Sequence, residues 1–395
     1  MLRFLNAGES HGPALTAIVE GYPSNVKVSS DRINYELSRR QKGYGRGGRM
    51  KIEKDTVEIL SGVRFGITLG SPITLMIRNK DWENWIDIMA VEGEPTDKRQ
   101  ILEPRPGHAD LVGGIKYGFY DLRNVLERAS ARETTTRVAV GALCKILLED
   151  VGIKIGSYVL SIGEKKVDTD KLKSLTFEER FENAEKSEVR IPFPENDQEF
   201  KEYIDKMKEE GESLGGVFEV YALNVPMGLG SYSQWDKRLD GKIAQAVMSI
   251  QAIKGVEIGD GFSLAYTTGY NAHDDIFWEK ERGFYRKTNR AGGLEGGMTN
   301  GEPIVVRAAM KPIPTLMRQK SLKSVNIKTK EPFDAAKERS DITAVPAAAV
   351  VAESMLAFVL AREILEKFGL EKFGNDNWLE IKERIEKYRQ YVREF

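Results

Sequence analysis

The chain is expected to fold as an α+β (α/β-class) protein in which antiparallel sheets pack on helices. Three observations lead there. Short runs of alternating polarity stand beside long apolar helical stretches, without the regular strand–helix–strand alternation of a parallel sheet. Hydrophobic residues make up 41% of the 395, enough for a well-buried core. Gly66-Ile67-Thr68-Leu69-Gly70-Ser71-Pro72-Ile73 returns as Gly297-Met298-Thr299-Asn300-Gly301-Glu302-Pro303-Ile304. Each copy of this G-x-T-x-G-x-P-I leads into an apolar strand, with Lys80 and Lys311 in equivalent places. Arg132-Glu133-Thr134 and Arg339-Ser340-Asp341 then each open a long apolar helix. A duplicated β-rich unit plus helix is the preferred reading.

The elements follow in order. Residues 2–6 and 14–20 read as strands meeting at a turn over residues 8–12. Ser30-Asp31 caps a helix that runs to about Gln41 and ends at Gly43. Strands over 57–65 and 72–78 precede helices over 110–125 and 134–150. Residues 161–212 are charged and poor in apolar side chains, which predicts an insertion or peripheral lobe ending in a surface helix. Residues 216–225 return to strand, 236–253 to helix and 303–310 to strand. Helices over 346–368 and 377–393 close the chain, the last amphipathic and partly exposed.

A formal net charge of -1 gives no sign of nucleic acid or membrane as a global partner. Charged residues reach 30%, a Lys- and Glu-rich enrichment that goes with surface ion pairs and heat tolerance. The single cysteine, Cys144, excludes an internal disulfide framework and a thiolate metal site. No metal is expected. The longest apolar stretch, residues 344–361, carries Pro346 and Glu353 and reads as a buried helix, not a membrane span. No basic-then-apolar leader pattern opens the chain, so a cytoplasmic location is expected.

Two of only three histidines sit in glycine-flanked loops. His11 lies in Gly8-Glu9-Ser10-His11-Gly12, and His108 in Arg105-Pro106-Gly107-His108-Ala109-Asp110. Histidine is the side chain that exchanges protons near neutrality, and flanking glycine lets a ligand come close. The alternative for each is a ring that only hydrogen-bonds its own turn. His273, in a polar loop, reads as a surface residue. Arg39, Arg40, Lys42, Arg46, Arg49 and Lys51 put six cations into thirteen residues without an acid, interleaved with glycines. Such a loop fits a small polyanion through guanidinium forks, or else is a solvated basic or RNA-contacting loop.

Gly43-Tyr44-Gly45-Arg46-Gly47-Gly48 matches the dinucleotide glycine pattern, but a charged helix precedes it and no helix follows. Gly8–Gly12 matches the hydrolase nucleophile pattern around Ser10, but a strand follows where a helix is needed. Arg128-Ala129-Ser130-Ala131-Arg132-Glu133 precedes a helix start and suits an anionic group, or is ordinary capping. Lys311-Pro312-Ile313-Pro314-Thr315 offers a rigid apolar floor for a flat ring, or a proline-bearing sheet edge. Asp341 reads as an N-cap or a catalytic carboxylate.

Together these segments resemble the chorismate synthase family. The resemblance rests on residues 8–23, 127–143 and 339–355, joined by 39–50, 105–113, 255–261 and 311–315. It spans nearly the whole chain, leaving out roughly 160–212 and the last twenty residues. It implies one domain over residues 1–395, with 160–212 a variable insertion and 376–395 an accessory helix. It also implies helices sandwiched between two antiparallel sheets, an internal duplication and a homotetramer.

The implied reaction is an anti 1,4-elimination of phosphate from 5-enolpyruvylshikimate 3-phosphate to chorismate, the last shared step of the shikimate pathway. Reduced FMN is required without net oxidation. On this resemblance Arg40, Arg46, Arg49, Arg132 and Arg339 hold the substrate's anionic groups. His11, protonated, neutralises the leaving phosphate. His108 protonates or stabilises the reduced ring, and Asp341 is the base for the C6 hydrogen, acting through flavin N5. Arg128, Ala129, Ser130, Gln251, Ala252, Gly296, Lys311, Pro312, Ile313, Pro314, Thr315 and Arg339 hold the FMN. Arg40 and Arg46 are also candidates for the phosphate of NADPH. No reductase domain is visible, which favours a separate flavin reductase.

Overall fold

The computed structural model describes residues 1–47, 54–318, 322–335, 341–369 and 377–395. Strands β1 (Arg3–Ala7) and β2 (Ala14–Glu20) form the expected hairpin. Helix α1 (Ser30–Gln41) is capped by Ser29, one residue before the expected start, whose hydroxyl accepts the Arg32 N–H at 3.2 Å. The predicted strand over 57–65 divides into β3 (Val57–Ile59) and β4 (Val63–Arg64). Gly62 makes the break at φ 78, a conformation that costs glycine little. Strand β4 pairs with β5 (Ile67–Thr68), and β6 (Ile73–Arg78) follows. The first sheet runs β1-β2-β6-β3, antiparallel throughout. Leu15, Ala17 and Val19 of β2 and Ile73, Leu75 and Ile77 of β6 are buried, so one face of the pleat supplies core.

The single helix expected over 110–125 is two, α2 (Asp110–Tyr117) and α3 (Arg123–Ala129). Gly118, left-handed at φ 73, ends the first. Helix α4 (Thr134–Glu149) is nearly all buried, as its apolar run predicts. Strands β7 (Lys154–Ile162) and β8 (Lys165–Lys166) lead into α5 (Phe177–Lys186) and α6 (Asp197–Glu209). Within this charged segment Val189, Ile191, Phe200 and Ile204 reach the main core.

After β9 (Gly216–Leu223), helix α7 covers only Leu239–Met248, shorter than the expected 236–253. Arg238 is still extended, and Ile253 already opens β10 (Ile253–Ile258). The hairpin β11 (Ile276–Glu279) and β12 (Gly283–Arg286) precedes β13 (Leu294–Glu295), β14 (Met298–Thr299) and β15 (Ile304–Met310). The second sheet runs β10-β15-β9-β7-β8, also antiparallel. Helix α8 (Val345–Phe368) begins with Pro346 in its first turn. Helix α9 (Trp378–Glu394) buries Trp378, Ile381 and Ile385.

Helix α4 lies on β2 and β6, α8 on β7 and β9, and the two helices pack on each other. A Cβ on Gly141 of α4 would sit 2.2 Å from the Ser354 Cβ of α8, so only glycine allows this approach. The two copies of the repeated motif are alike in detail. Thr68 Oγ1 donates to Pro23 O at 2.7 Å and accepts from Val26 N at 2.9 Å. Thr299 Oγ1 donates to Pro226 O at 2.6 Å and accepts from Leu229 N at 2.8 Å.

An ion network crosses the helix layer. Glu353 of α8 meets Arg39 of α1 at 2.7 Å, Lys145 of α4, and Arg190 at 3.3 Å. Glu36 meets Arg39 at 2.6 Å and Lys145 at 3.0 Å. Burial works to raise the Glu353 carboxyl, but Arg39, Lys145 and Arg190 outweigh it and bring it down to about 2. Arg39, one of the six cations of the basic run, therefore serves the core and not a ligand.

Candidate active site

The site is built where strand ends and turns meet the first turn of α4. Gly8, at φ 109, starts the turn that carries His11; a Cβ there would lie 2.4 Å from Ala14 O. Ser10 is buried, and its N–H donates to Glu127 O at 3.0 Å. Strand β2 follows it directly, so the strand–turn–helix context of a nucleophile elbow is missing.

Asn79, the residue after β6, ties this turn to the helix. Its Nδ2 donates to Gly12 O at 2.7 Å and Glu9 O at 3.2 Å, and its Oδ1 accepts from Arg132 Nε at 3.0 Å. Arg132 reaches Asp55 at 2.6 Å, and Arg40 reaches the other oxygen of Asp55 at 2.9 Å. Arg40 also donates to Thr135 Oγ1 at 2.7 Å. All three charged side chains are buried. Two guanidinium groups thus share one carboxylate.

The energetic consequence shows at Arg40. Burial lowers its proton affinity, and the Arg132 and Arg46 charges lower it further against the pull of Asp55, to about 10. Its Nε is buried and has no hydrogen-bond partner among the described residues. Arg46 pairs with Asp341 at 3.1 Å, and Asp341 also accepts the Gly47 N–H at 2.6 Å. The Ile342 N–H donates to Gly45 O at 2.8 Å, so the glycine-rich loop and the approach to α8 are joined. Arg49 and Arg339 lie outside the described residues.

His11 and His108 each use Nδ1 to meet a buried carboxylate. His11 Nδ1 is 3.0 Å from both oxygens of Glu127, and Arg123 donates to Glu127 at 3.0 Å. The His11 ring stacks on Trp85 at 3.8 Å. His108 Nδ1 is 2.6 Å from Asp110, which also pairs with Arg105 at 2.8 Å. Burial works to raise the Asp110 carboxyl, but the His108 and Arg105 hydrogen bonds hold it far below the usual carboxylate range.

A chain of contacts joins the two histidine loops through the segments proposed for flavin. Arg128 donates to Asn6 Oδ1 at 2.9 Å and to Gly8 O at 3.3 Å. Asn6 donates to Glu133 at 2.7 Å, and Gln251 donates to Glu133 at 2.6 Å. The Lys311 N–H donates to Ala252 O at 2.9 Å, and Lys311 Nζ donates to Gly107 O, beside His108. Ser130 caps the turn by accepting the Arg132 N–H at 3.3 Å, with Ala129 half-buried next to it. Ile313 O accepts from Ser213 at 2.6 Å, fixing the Pro312–Pro314 span, and Thr315 is buried. Gln251 Oε1 is buried without a hydrogen-bond partner among the described residues. Gly296 lies at the tip of the β13–β14 hairpin. Its neighbour Gly297 accepts the Leu239 N–H at the start of α7, and Gln251 and Ala252 follow the end of that helix.

Asp55, Asn79, Trp85, Arg123 and Glu127 were not singled out from the sequence. Asp55 is the second acid after the basic run, and Asn79 directly follows a strand; these are the available signals.

Buried guanidinium groups gathered beside two imidazoles that carboxylates hold suit an enzyme that works on a small, multiply anionic substrate. The family model described as Chorismate synthase matches residues 2–365. A chorismate synthase of Sulfurihydrogenibium sp. (strain YO3AOP1) is 84% identical over 392 residues, covering 99% of each chain. That of Aquifex aeolicus (strain VF5) is 63% identical over 403 residues, covering 100% of this chain and 99% of that one. A solved structure titled "Crystal Structure of Chorismate Synthase" superposes with a TM-score of 0.80 at 53% identity, covering 100% of this chain and 99% of the other. The chain belongs to the chorismate synthase family, and so to the carbon–oxygen lyases of aromatic biosynthesis.

Proposed function

We propose that this chain converts 5-enolpyruvylshikimate 3-phosphate to chorismate and phosphate by an anti 1,4-elimination, with reduced FMN bound beside the substrate. The observation that carries this reading is the pairing of Arg40 and Arg132, two buried guanidinium groups that share the carboxylate of Asp55. Two carboxylates and a phosphate on the substrate match this cluster of cations in charge. In a site closed to water each such attraction is stronger than at the surface. Arg46, Arg49 and Arg339 complete the cationic lining. His11 neutralises the departing phosphate, and Asp341 receives the proton lost from C6.

The residues present fit a flavin. Gln251 Oε1 is a buried acceptor lacking a donor, the span over Pro312–Pro314 offers a stiff apolar surface for a ring system, and Lys311 and Arg128 bring positive charge. Arg128, Ala129, Ser130, Gln251, Ala252, Gly296, Lys311, Pro312, Ile313, Pro314, Thr315 and Arg339 would hold it, with His108 at the pyrimidine edge. When bound, reduced FMN supplies transient electron density while the C–O bond breaks. Arg40 and Arg46 are the candidates to meet NADPH if the chain reduces its own flavin; otherwise a separate reductase is its partner.

On the same reading α4 and α8 form the middle layer of a sandwich. The matching bonds of Thr68 and Thr299 support an internal duplication. The family reading further implies a homotetramer that works in the cytoplasm. Among the described residues no helix is long and apolar enough to cross a membrane.

The test is an anaerobic assay with components omitted in turn. Chorismate absorbance is expected only when substrate and reduced FMN are both present. Absence of product with both would overturn the proposal. Replacing reduced FMN by FMN with NADPH in the same assay reads whether the chain reduces its own flavin.

A further inference from the structure

The His11 turn is held by a residue 116 positions away in sequence. Glu127 on α3 has a fully buried side chain. It accepts the His11 backbone N–H at 2.8 Å, and both its oxygens lie 3.0 Å from Nδ1. Arg123, one turn earlier, donates to the same carboxylate. One face of the imidazole is closed by Trp85, with an interplanar angle of 21°. The guanidinium groups of Arg99 and Arg123 lie 4.1 and 5.1 Å from the Trp85 ring centre. One edge and one face of the ring are therefore fixed.

An ionised carboxylate only accepts hydrogen bonds, so a ring nitrogen that meets it must carry a proton. Burial would raise the Glu127 carboxyl, but hydrogen bonds from His11 and Arg123 hold it below its ordinary range. The other charges around the turn are Arg99 across Trp85, Arg128 on Gly8 O, Arg132 behind Asn79, and Glu9 within the turn itself.

We propose that Glu127 is the positioning residue that fixes the Nδ1–H form of His11, so that Nε2 is the ring atom that gains and gives up the working proton. A carboxylate that sets the tautomer of a catalytic histidine is an established device of enzyme sites. The inference rests on the reading of His11 as the group that neutralises the leaving phosphate. At His108 the Nδ1 likewise meets a carboxylate, Asp110, while Arg105 lies 3.1 Å from Nδ1 and 3.3 Å from Nε2, and its signals serve as an internal control.

The test is nitrogen NMR of the full chain carrying labelled histidine. Three histidines give few signals, assigned with His11→Ala and His108→Ala. With the rings neutral, wild-type His11 is expected to carry its proton on Nδ1. In Glu127→Gln, whose amide can offer an N–H to the ring, the proton moves to Nε2 and kcat/KM falls at least about tenfold. The His108 signals stay in place. A wild-type His11 with a bare Nδ1 would overturn the proposal even if the variant failed to fold, and so would an unchanged tautomer in a folded Glu127→Gln. A changed tautomer with unchanged turnover would support the role of Glu127 while removing proton donation from His11.

Discussion

At the scale of single residues, His11 and His108 are supported alike, each with Nδ1 against a buried carboxylate that an arginine also holds. A proton-transfer group typically contributes about 10²–10⁴-fold in rate. His11→Ala and His108→Ala should therefore each lower kcat by at least about tenfold, while fluorescence titration shows FMN still binding. Wild-type turnover in both variants would contradict the proton roles. Glycine spacing made both loops legible in the sequence, because a sharp turn next to histidine is a local property. Their partners were not legible: Glu127 and Asn79 reach the His11 turn across 116 and 67 positions, and only the fold joins them.

At the scale of elements, β1, β2, β6, β9 and β15 fall close to their expected ranges, and β2 and β6 show the period of two that a half-buried strand must show. The misreadings fall where one residue breaks a pattern. Gly62 and Gly118 in left-handed conformations split a strand and a helix, and Ala252 at φ 65 ends the turn between α7 and β10. The basic run at the end of α1 looked uniform, yet Arg39 and Arg40 take opposite fates. Arg39 joins α1 to α8 through Glu353. Because the folded Glu353 carboxyl is lowered to about 2 from an unfolded value of about 4.3, its stabilising contribution is complete above about pH 4.3 and is lost as pH falls toward 2. Glu36 is lowered for the same reason, chiefly against its burial by Lys145 and Arg39. Chemical denaturation should show stability falling across that window, with a shallower fall in Glu353→Gln. Equal slopes in wild type and variant would remove the network from acid unfolding. Glu353→Gln should also be less stable at neutral pH, since Arg39 and Lys145 lose a buried counter-charge.

At the scale of the whole molecule, two antiparallel sheets and the helices packed on them bring residues 8–12, 40–47, 55, 79, 105–110, 127–135, 251–252 and 311–315 into one contact network. No single segment of that set specifies a reaction. Their convergence produces a buried cationic seat in which two guanidinium groups share one carboxylate. Equilibrium binding of 5-enolpyruvylshikimate 3-phosphate to wild type, Arg40→Lys and Arg132→Lys tests whether this seat holds the substrate. Lysine keeps the charge but loses the guanidinium fork, and a charged hydrogen bond is worth about 1.5–3 kcal/mol. Each variant is expected to bind substrate about 10–100-fold more weakly than wild type. Wild-type affinity in both folded variants would contradict the claim.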